Sequence, residues 1–475
     1  MTHSDPQLTK AAGISAQLAN YAVRFELDSV PTEVRQRATH LMLDALGIAL
    51  ASTQWDFSRQ TLAGLRELAG PGGDVPVIGY GQQLPMRDAV IMNALLVHGL
   101  DYDDTHPSGV IHATTSVLPA TLGLATHRKA TGRDLLTAYV LGIETATRLA
   151  SAAKSGFHQV GFHPTGLIGA FGCTLAAARL LGLDEVAMVN AQGIALSVAS
   201  GSLECLEDGA WTKRLHPGWA AAAGITAATM AKHGFVGPGA AYEGRFGLYA
   251  SHLGALNEKC DLEMITAGLG TVWETLNVAI KPVPACHFTH AFADAASILS
   301  SQWQGAEVKR IIAKVPPGAM KAVCEPISKK LRPANAYDAQ FSVPYSVATG
   351  LRFGRFTLDA LDPAAWQDEQ TLALAAKVEC IPDPEADFPR YFGGEVIVEL
   401  VDGRTLRHAE PINRGAPGRP ISNEEIIIKF YENATRAVDR SHADQVLNAV
   451  LNIEHGDAAD LSRLLGVKAQ MEISK

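Results

Sequence analysis

Three successive periodicities of apolar residues limit the folds open to this chain. Up to about residue 270, apolar residues recur at helical spacings of three and four, as in Val34, Ala38 and Leu41, and Ser29 is expected to cap that helix. Apolar residues alternate in segments between residues 309 and 408, and helical spacing then returns. We predict a mainly α fold interrupted by an α+β segment.

The chain length predicts two domains, because 475 residues exceed what one hydrophobic core usually serves. Hydrophobic residues make up 47% and aromatic residues only 7%, with 43 glycines, which indicates closely packed helices. The last 50 or so residues are expected to rejoin the helices of the first part.

Local signals mark the strands and the last helices. Residues 309–315, KRIIAKV, and residues 377–380, KVEC, have strand patterns, and GEVIVELVDGRTLRH predicts a hairpin that turns at Asp402 and Gly403. Beyond a Pro/Gly-rich junction, Ser422 and its partner three residues later form a capping box that begins a helix.

Charge and hydropathy exclude several classes of partner. The 40 Lys and Arg against 49 Asp and Glu give a formal charge of −9, and no basic run is long enough to follow a nucleic-acid backbone. No apolar stretch reaches the roughly 18 residues that a membrane-spanning helix needs, and the amino terminus lacks the order of a signal peptide. We expect a cytoplasmic protein that binds neither nucleic acid nor membrane.

The six cysteines lie far apart and form no C-x-x-C pair, so the sequence predicts neither a zinc site nor an iron-sulfur cluster. Dehydratases of the aconitase type hold such a cluster on three cysteines. If the chain is an enzyme, it is therefore expected to work by side chains alone, without cofactor or metal.

The densest polar cluster is HGLDYDDTHPSGVIHATTSVLPA, which runs from His98 to Ala120. Three aspartates, a threonine and three histidines fall within 15 residues of it, among apolar neighbours. Burying several ionisable groups is costly unless they are paired, and it shifts their pKa values towards those useful in proton transfer. The composition fits an active site, but it also fits a solvated loop, because Asp and Thr commonly cap helices.

Further candidates lie downstream. GFHPTG places His163 at a helix start, TKRLHPG places Lys213 and His216 at the entrance of an alanine-rich helix, Lys281 stands between prolines, and FSVPY offers the phenol of Tyr345. Cations and helix amino termini bind carboxylates. A structural histidine and a solvated basic turn are the alternatives for the first two segments.

HGLDYDDT, FHPTG, TKRLH, IKPVPACHFTH, FSVPY and GRPISNEEIIIKF occur in the order typical of the MmgE/PrpD family, and the chain resembles that family over nearly its whole length. The resemblance implies a large all-helical domain built from both chain ends, residues 1–275 and 414–475, with an inserted smaller α+β lid domain, residues 276–413. It also implies a homodimer that uses no metal or organic cofactor.

The resemblance further implies a set of site residues in the cleft between the two domains. The catalytic residues implied are His112, Asp101, Tyr345 and Lys213, and the substrate-binding residues implied are Thr105, His163 and Lys281. In this hypothesis the lysines, Thr105 and His163 bind carboxylates, His112 moves protons with Asp101 setting its tautomer, and Tyr345 is a second acid. The sequence departs from many relatives in placing His-Pro-Ser at His106; the register favours His112, with His106 as the alternative.

The resemblance implies an enzyme that moves a proton next to a carboxylate of a small di- or tricarboxylic acid. The hydro-lyase reaction of a 2-methylcitrate dehydratase is the favoured expectation, with the reactions of cis-aconitate decarboxylase and iminodisuccinate epimerase as alternatives. A magnesium-dependent terpenoid synthase is disfavoured because DYDDTH lacks the D-D-x-x-D spacing. A non-catalytic helical binding protein is disfavoured because all seven candidate residues are intact.

Overall fold

The computed structural model describes residues 13–470. About 59% of the chain is helical and 9% lies in strands, so the expectation of a mainly α protein is confirmed. Among the described helices, none combines the length and the apolar character needed to span a membrane.

Helices and one short hairpin form residues 13–253. The helices are α1 (Ile14–Arg24), α2 (Thr32–Ser52), α3 (Asp56–Leu68), α4 (Met86–His98), α5 (Ala113–Arg128), α6 (Gly132–Ala152), α7 (Gly156–Gln159), α8 (Pro164–Leu167), α9 (Gly169–Leu180), α10 (Glu185–Leu196), α11 (Cys205–Asp208), α12 (Thr212–Lys232) and α13 (Leu248–Leu253); the hairpin is β1 (Val75–Val77) and β2 (Gln82–Leu84).

A four-stranded sheet and shorter helices follow. They are α14 (His290–Trp303), β3 (Val308–Val315), α15 (Pro317–Val323), α16 (Ile327–Leu331), α17 (Ala336–Gln340), α18 (Val343–Phe353), α19 (Pro363–Trp366), α20 (Glu369–Ala375), β4 (Val378–Pro382), β5 (Gly394–Leu400) and β6 (Thr405–Glu410). The strand order is β4-β3-β5-β6, with β3 and β4 parallel and the other pairs antiparallel. The predicted strands and hairpin are confirmed.

Three helices close the described chain: α21 (Asn423–Ala434), α22 (Arg440–Leu451) and α23 (Ala458–Leu465). Ser422 and Glu425 form the predicted capping box at the start of α21. Helix α21 packs on α2 and α23 packs on α5, so the two ends of the chain share one hydrophobic core. The α+β segment contributes a second apolar cluster, in which α14 and α18 cover the sheet. The domain boundaries stay a prediction.

A buried ion pair connects a helix near the start of the chain, α2, with one near its end, α21. Lys429 of α21 lies 2.7 Å from a carboxylate oxygen of Asp44 in α2, and its ammonium group also donates to the carbonyl oxygen of Tyr102 at 2.9 Å. Both charged side chains are almost fully buried. Each therefore depends on the other, because an unpaired buried charge is strongly destabilising.

Two helix starts differ from the expectation. Ser29 does not cap α2, because its hydroxyl donates to the carbonyl of Glu26 and the helix begins at Thr32. The alanine-rich helix α12 begins at Thr212, ahead of Pro217, which lies inside it. The first turn of α12 thereby includes Lys213.

Candidate active site

A loop of fourteen residues between α4 and α5 carries the Asp-rich motif. Asp101 follows three residues after the end of α4, with a positive φ of 49° that aspartate tolerates better than most residues. Thr105 forms an antiparallel bridge with Ala279, in which each N–H donates to the other's carbonyl at 2.8 Å. The bridge holds the loop against the segment that contains Lys281.

Two lysines converge on Asp101. The ammonium group of Lys281 lies 3.0 Å from Oδ1 of Asp101 and 2.7 Å from its carbonyl oxygen, and Nζ of Lys213 lies 3.1 Å from the same Oδ1. All three side chains are at least nine-tenths buried. Burial alone would raise the pKa of Asp101, but the two lysines outweigh it and hold that pKa well below its usual range.

Asp103 lies between two histidines. Nδ1 of His98 is 2.9 Å from one of its carboxylate oxygens, and Nδ1 of His112 is 2.8 Å from the other. Burial again acts to raise the pKa of Asp103, and the two imidazoles overcome it and lower that pKa. We expected Asp101 to set the tautomer of His112, but Nδ1 of His112 donates to the carbonyl oxygen of Asp104 and lies against the carboxylate of Asp103 instead.

The imidazole of His112 is held through one nitrogen only. Its Nδ1 faces oxygens, with the carbonyl of Asp104 at 2.7 Å and Oγ1 of Thr105 at 3.3 Å in addition to Asp103. These acceptors place the proton on Nδ1. Nε2 of His112 has no hydrogen-bond partner within residues 13–470, and the side chain keeps 11% of its surface exposed. Nε2 is therefore the atom that can accept or deliver a proton.

His163 joins this cluster from the start of α8. Its ring stacks on His98 with centroids 5.5 Å apart and lies 5.9 Å from the ring of His112. Nδ1 of His163 contacts Nδ1 of His216 at 3.0 Å. Nε2 of His98 and Nε2 of His163 are both buried without a hydrogen-bond partner among the described residues. Burial lowers the pKa of His98 to about 4 and holds that of His163 well below 6.5.

Asp104 faces the helical core rather than the lysines. Burial raises the pKa of its carboxyl group to about 7, and the neighbouring carboxylates of Asp103 and Asp44 act in the same direction. Its carbonyl oxygen accepts from His112, so the backbone of Asp104 supports the site.

The structure places His106 outside the cluster. Its Nε2 lies 2.9 Å from Glu274, and its Nδ1 accepts from the N–H of Gly109 at 3.3 Å. Both ring nitrogens are thus occupied. Of the two histidines that the sequence left open, the geometry favours His112 as the active one.

Tyr345 also lies outside the cluster of histidines, lysines and aspartates. Its hydroxyl donates to the carbonyl of Ala360 at 2.6 Å, and its ring packs edge-on against Phe356. In the described structure it shares no hydrogen bond or ring contact with the histidines or lysines of the site.

Sequence reasoning missed three residues of the cluster: Asp103, His98 and His216. The first two lay within the Asp-rich motif, but nothing in the spacing ranked them above Asp101 and His112. His216 was visible only as part of a basic segment. Its position three residues after Lys213 places both on one side of a helix, which was the available signal.

Four groups of the cluster have the chemistry of metal ligands. One ligand atom from each of His98, Asp101, Asp103 and His112 lies within 4.8 Å of the others. Two ammonium groups already contact Asp101, however, and Nδ1 of both histidines faces Asp103. A divalent cation would compete with these positive charges and protons, so the arrangement favours carboxylate binding and proton transfer.

Comparison with known proteins identifies the family of the chain. The chain matches the MmgE/PrpD N-terminal domain over residues 16–259 and the MmgE/PrpD C-terminal domain over residues 283–455. It is 27% identical to the cis-aconitate decarboxylase-like protein oryM of Aspergillus oryzae, over 97% of this chain and 98% of that protein. Identity is 26% to the cis-aconitate decarboxylase of Aspergillus terreus, over 98% of each chain, and 27% to that of Homo sapiens, over 93% and 92%. The chain therefore belongs to the MmgE/PrpD family.

Proposed function

We propose that this protein is a lyase that decarboxylates an unsaturated tricarboxylic acid of the cis-aconitate type. Support comes from relatives with that name along nearly the whole chain. The observation that carries the proposal is the buried cluster in which two lysines share Asp101, while Asp103 orients His112 beside them.

The lysines supply the binding site for substrate carboxylates. Two ammonium groups against the single carboxylate of Asp101 leave one positive charge in excess. Each ammonium group has three N–H donors. Lys281 uses two of them on Asp101, so one donor remains on Lys281, and Lys213 contacts the same carboxylate as an ion pair at 3.1 Å. Because these groups are buried, their attraction for a carboxylate is screened less than it would be at the surface.

His112 supplies the proton. When the carbon-carbon bond to one carboxylate breaks, carbon dioxide leaves and the electron pair is delocalised to a carbon beside a remaining carboxylate. The imidazolium form of His112 gives its Nε2 proton to that carbon and becomes neutral, and a proton from water restores it. Asp103 stabilises the imidazolium through Nδ1, and the lysines stabilise the charge that develops on the carboxylate.

The relatives favour this decarboxylation over the dehydration that the sequence favoured. A dehydratase would use the same cations and the same histidine, with the proton delivered to a departing hydroxyl group instead of a carbon. The residues of the cluster therefore do not distinguish the two reactions, and the products must be identified.

The test is to incubate the purified protein separately with cis-aconitate, 2-methylcitrate and iminodisuccinate in deuterated water and to follow the products by NMR. We expect carbon dioxide release from cis-aconitate and one deuterium on the carbon that is protonated. Loss of water from 2-methylcitrate without any decarboxylation would replace the proposal by the dehydratase reaction. Epimerisation of iminodisuccinate alone would replace it by an isomerase reaction.

We further propose, from the same family membership, that the protein acts as a homodimer without a metal ion. Sedimentation of the purified chain should give twice the mass of 50.4 kDa. Turnover should be unchanged by a chelator, and loss of activity restored by a divalent cation would contradict the metal-free reaction.

A further inference from the structure

The contact between His163 and His216 constrains which ring nitrogens of the two residues carry protons. Nδ1 of one ring lies 3.0 Å from Nδ1 of the other, which is a hydrogen-bond distance. Two nitrogens at this distance share a single proton, so one ring donates and the other accepts. The nitrogen that accepts fixes its ring as the tautomer protonated on Nε2.

Both rings are neutral near pH 7. Burial is the main cause that keeps the pKa of His163 well below 6.5 and lowers that of His216 to about 4, and Lys213 acts in the same direction on each. Each ring therefore carries one proton, and only two arrangements of the pair remain. Either His216 donates and Nε2 of His163 is protonated, or His163 donates and its Nε2 is a bare lone pair.

The backbone holds the two rings in place. The N–H of His163 donates to the carbonyl of Gly201 at 2.9 Å. A Cβ atom on Gly201 would lie 3.5 Å from Cγ of His216, and one on Gly166 would lie 3.0 Å from its Cβ. Gly201 also has a φ of +145°, which side chains rarely adopt. Gly166 thus leaves room for the side chain of His216 against the His163 segment, and Gly201 supplies a backbone conformation that favours glycine.

The protonation state of Nε2 of His163 determines whether this atom can bind a carboxylate. It is buried without a hydrogen-bond partner in the part of the chain that the structure describes, on a ring only 2% exposed. The ring lies between His98 and the α12 turn that carries Lys213. A bare nitrogen would repel a bound carboxylate, whereas a protonated one would donate a hydrogen bond to it.

We propose that His216 is a positioning residue: its Nδ1–H donates to Nδ1 of His163 and so places the proton of His163 on Nε2, where it binds a carboxylate of the substrate. This inference rests on the proposed function in one respect, that the ligand is a polycarboxylate. Helix α12 then supplies two parts of the site from one turn, the ammonium group of Lys213 and the ring that sets the tautomer of its neighbour.

Two substitutions of nearly equal size test whether His216 acts by donating a hydrogen bond to His163 or only by packing against it. The amide of His216→Asn can donate to Nδ1 of His163, whereas the carboxylate of His216→Asp can only accept. We expect His216→Asn to keep KM for cis-aconitate within about threefold of wild type. We expect His216→Asp to raise KM about tenfold or more at pH 8, with a smaller change in kcat, because one hydrogen bond to a charged group is lost.

The pH profile gives a second readout. The introduced carboxylate favours the imidazolium form of His163, and that form carries a proton on Nε2 again. The KM of His216→Asp should therefore fall towards the wild-type value as the pH is lowered from 8 to 6, while His216→Asn shows no such recovery. Equal increases of KM in both variants at every pH would overturn the proposal, because loss of packing alone would produce them.

The tautomer can also be read directly in the wild-type chain labelled with [15N]histidine. Two-bond 1H–15N spectra should show a protonated Nε2 and a bare Nδ1 for His163, whose signals are identified by their loss in His163→Asn. A proton on Nδ1 would overturn the proposal. This measurement does not depend on turnover, so an inactive wild-type protein would refute the decarboxylase function and leave the tautomer decided. Titration with propane-1,2,3-tricarboxylate should shift the Nε2 signal.

Discussion

Two histidine-carboxylate pairs six residues apart in the sequence behave differently. His106 pairs with Glu274 at 2.9 Å and His112 pairs with Asp103 at 2.8 Å, so distance does not distinguish them. His106 uses both ring nitrogens, one on Glu274 and one on a backbone N–H. His112 uses only Nδ1.

We infer from this difference that a free second nitrogen, rather than the pairing itself, distinguishes the histidine proposed to move protons. An imidazole with both nitrogens satisfied is a structural crosslink, because any proton it moved would cost a hydrogen bond. An imidazole held at Nδ1 with a free Nε2 is both oriented and available. The variants below compare the two pairs directly.

The largest contrast is expected from the same substitution at both histidines. His112→Asn should lower kcat by two or more powers of ten, because it removes the atom that moves the proton. His106→Asn should leave kcat within a few fold and act on stability instead. Steady-state decarboxylation with both purified variants, after circular dichroism shows that each is folded, measures this. Comparable losses of kcat in the two variants would break the distinction.

Substitution of the two paired carboxylates, Asp103 and Glu274, should also affect kcat unequally. Asp103→Asn removes the negative charge that stabilises the imidazolium of His112, so kcat should fall about a hundredfold. Glu274→Gln should change kcat little. The ratio of the two rates, measured under identical conditions, is the readout, and a larger loss in Glu274→Gln would show that the active pair had been assigned wrongly.

A smaller effect concerns stability and pH. The hydrogen bond from His106 is the main cause that lowers the pKa of Glu274 from 4.5 to about 2. A carboxyl group whose pKa is lowered in the folded state stabilises that state above pH 4.5, and this contribution is lost as the pH falls from about 4.5 to about 2. Glu274→Gln should therefore cost about 1 kcal/mol at pH 7, since solvent screens this partly exposed group.

Urea denaturation at pH 7 and at pH 3.5 measures that contribution. The difference in unfolding free energy between wild type and Glu274→Gln should shrink at the lower pH. A difference that stays constant would mean that the ion pair does not contribute through its charge.

An effect of similar size on stability is expected at Tyr345. Its hydroxyl donates to the carbonyl of Ala360, so Tyr345→Phe should lower the unfolding free energy by about 1 kcal/mol and leave kcat within a few fold. Activity assays with the thermal midpoint as a second measurement check this. A loss of two powers of ten in kcat would restore the catalytic role that the sequence suggested for this phenol.

Much of the site could be predicted from the sequence, because its residues lie in short motifs that pack together. The structure does bring Asp101, His112, His163, Lys213 and Lys281 into one buried cluster. The division of roles between Asp101 and Asp103 could not be predicted, because Asp101 contacts two lysines far along the chain whereas Asp103 contacts two histidines close to it in sequence.

Long-range contacts account for the remaining differences. His216 pairs with a histidine 53 residues away. The carbonyl oxygen that accepts the hydrogen bond of Tyr345 lies 15 residues further along the chain. No local periodicity encodes such partners. The β5–β6 hairpin and the capping box were predictable for the opposite reason, since their hydrogen bonds join residues close in sequence. Strands β3 and β4 were predictable from their own alternating pattern, although their pairing partners lie far along the chain.

The ion pair between Asp44 and Lys429 has a consequence for the order in which the protein is made. The ribosome releases Asp44 nearly 400 residues before its partner, so the pair can form only once α21 has been made. A product terminated ahead of α21 would lack Lys429 together with the helix that packs on α2. Such truncated chains should therefore be less stable than the full chain, even though every residue from α1 to α13 is present.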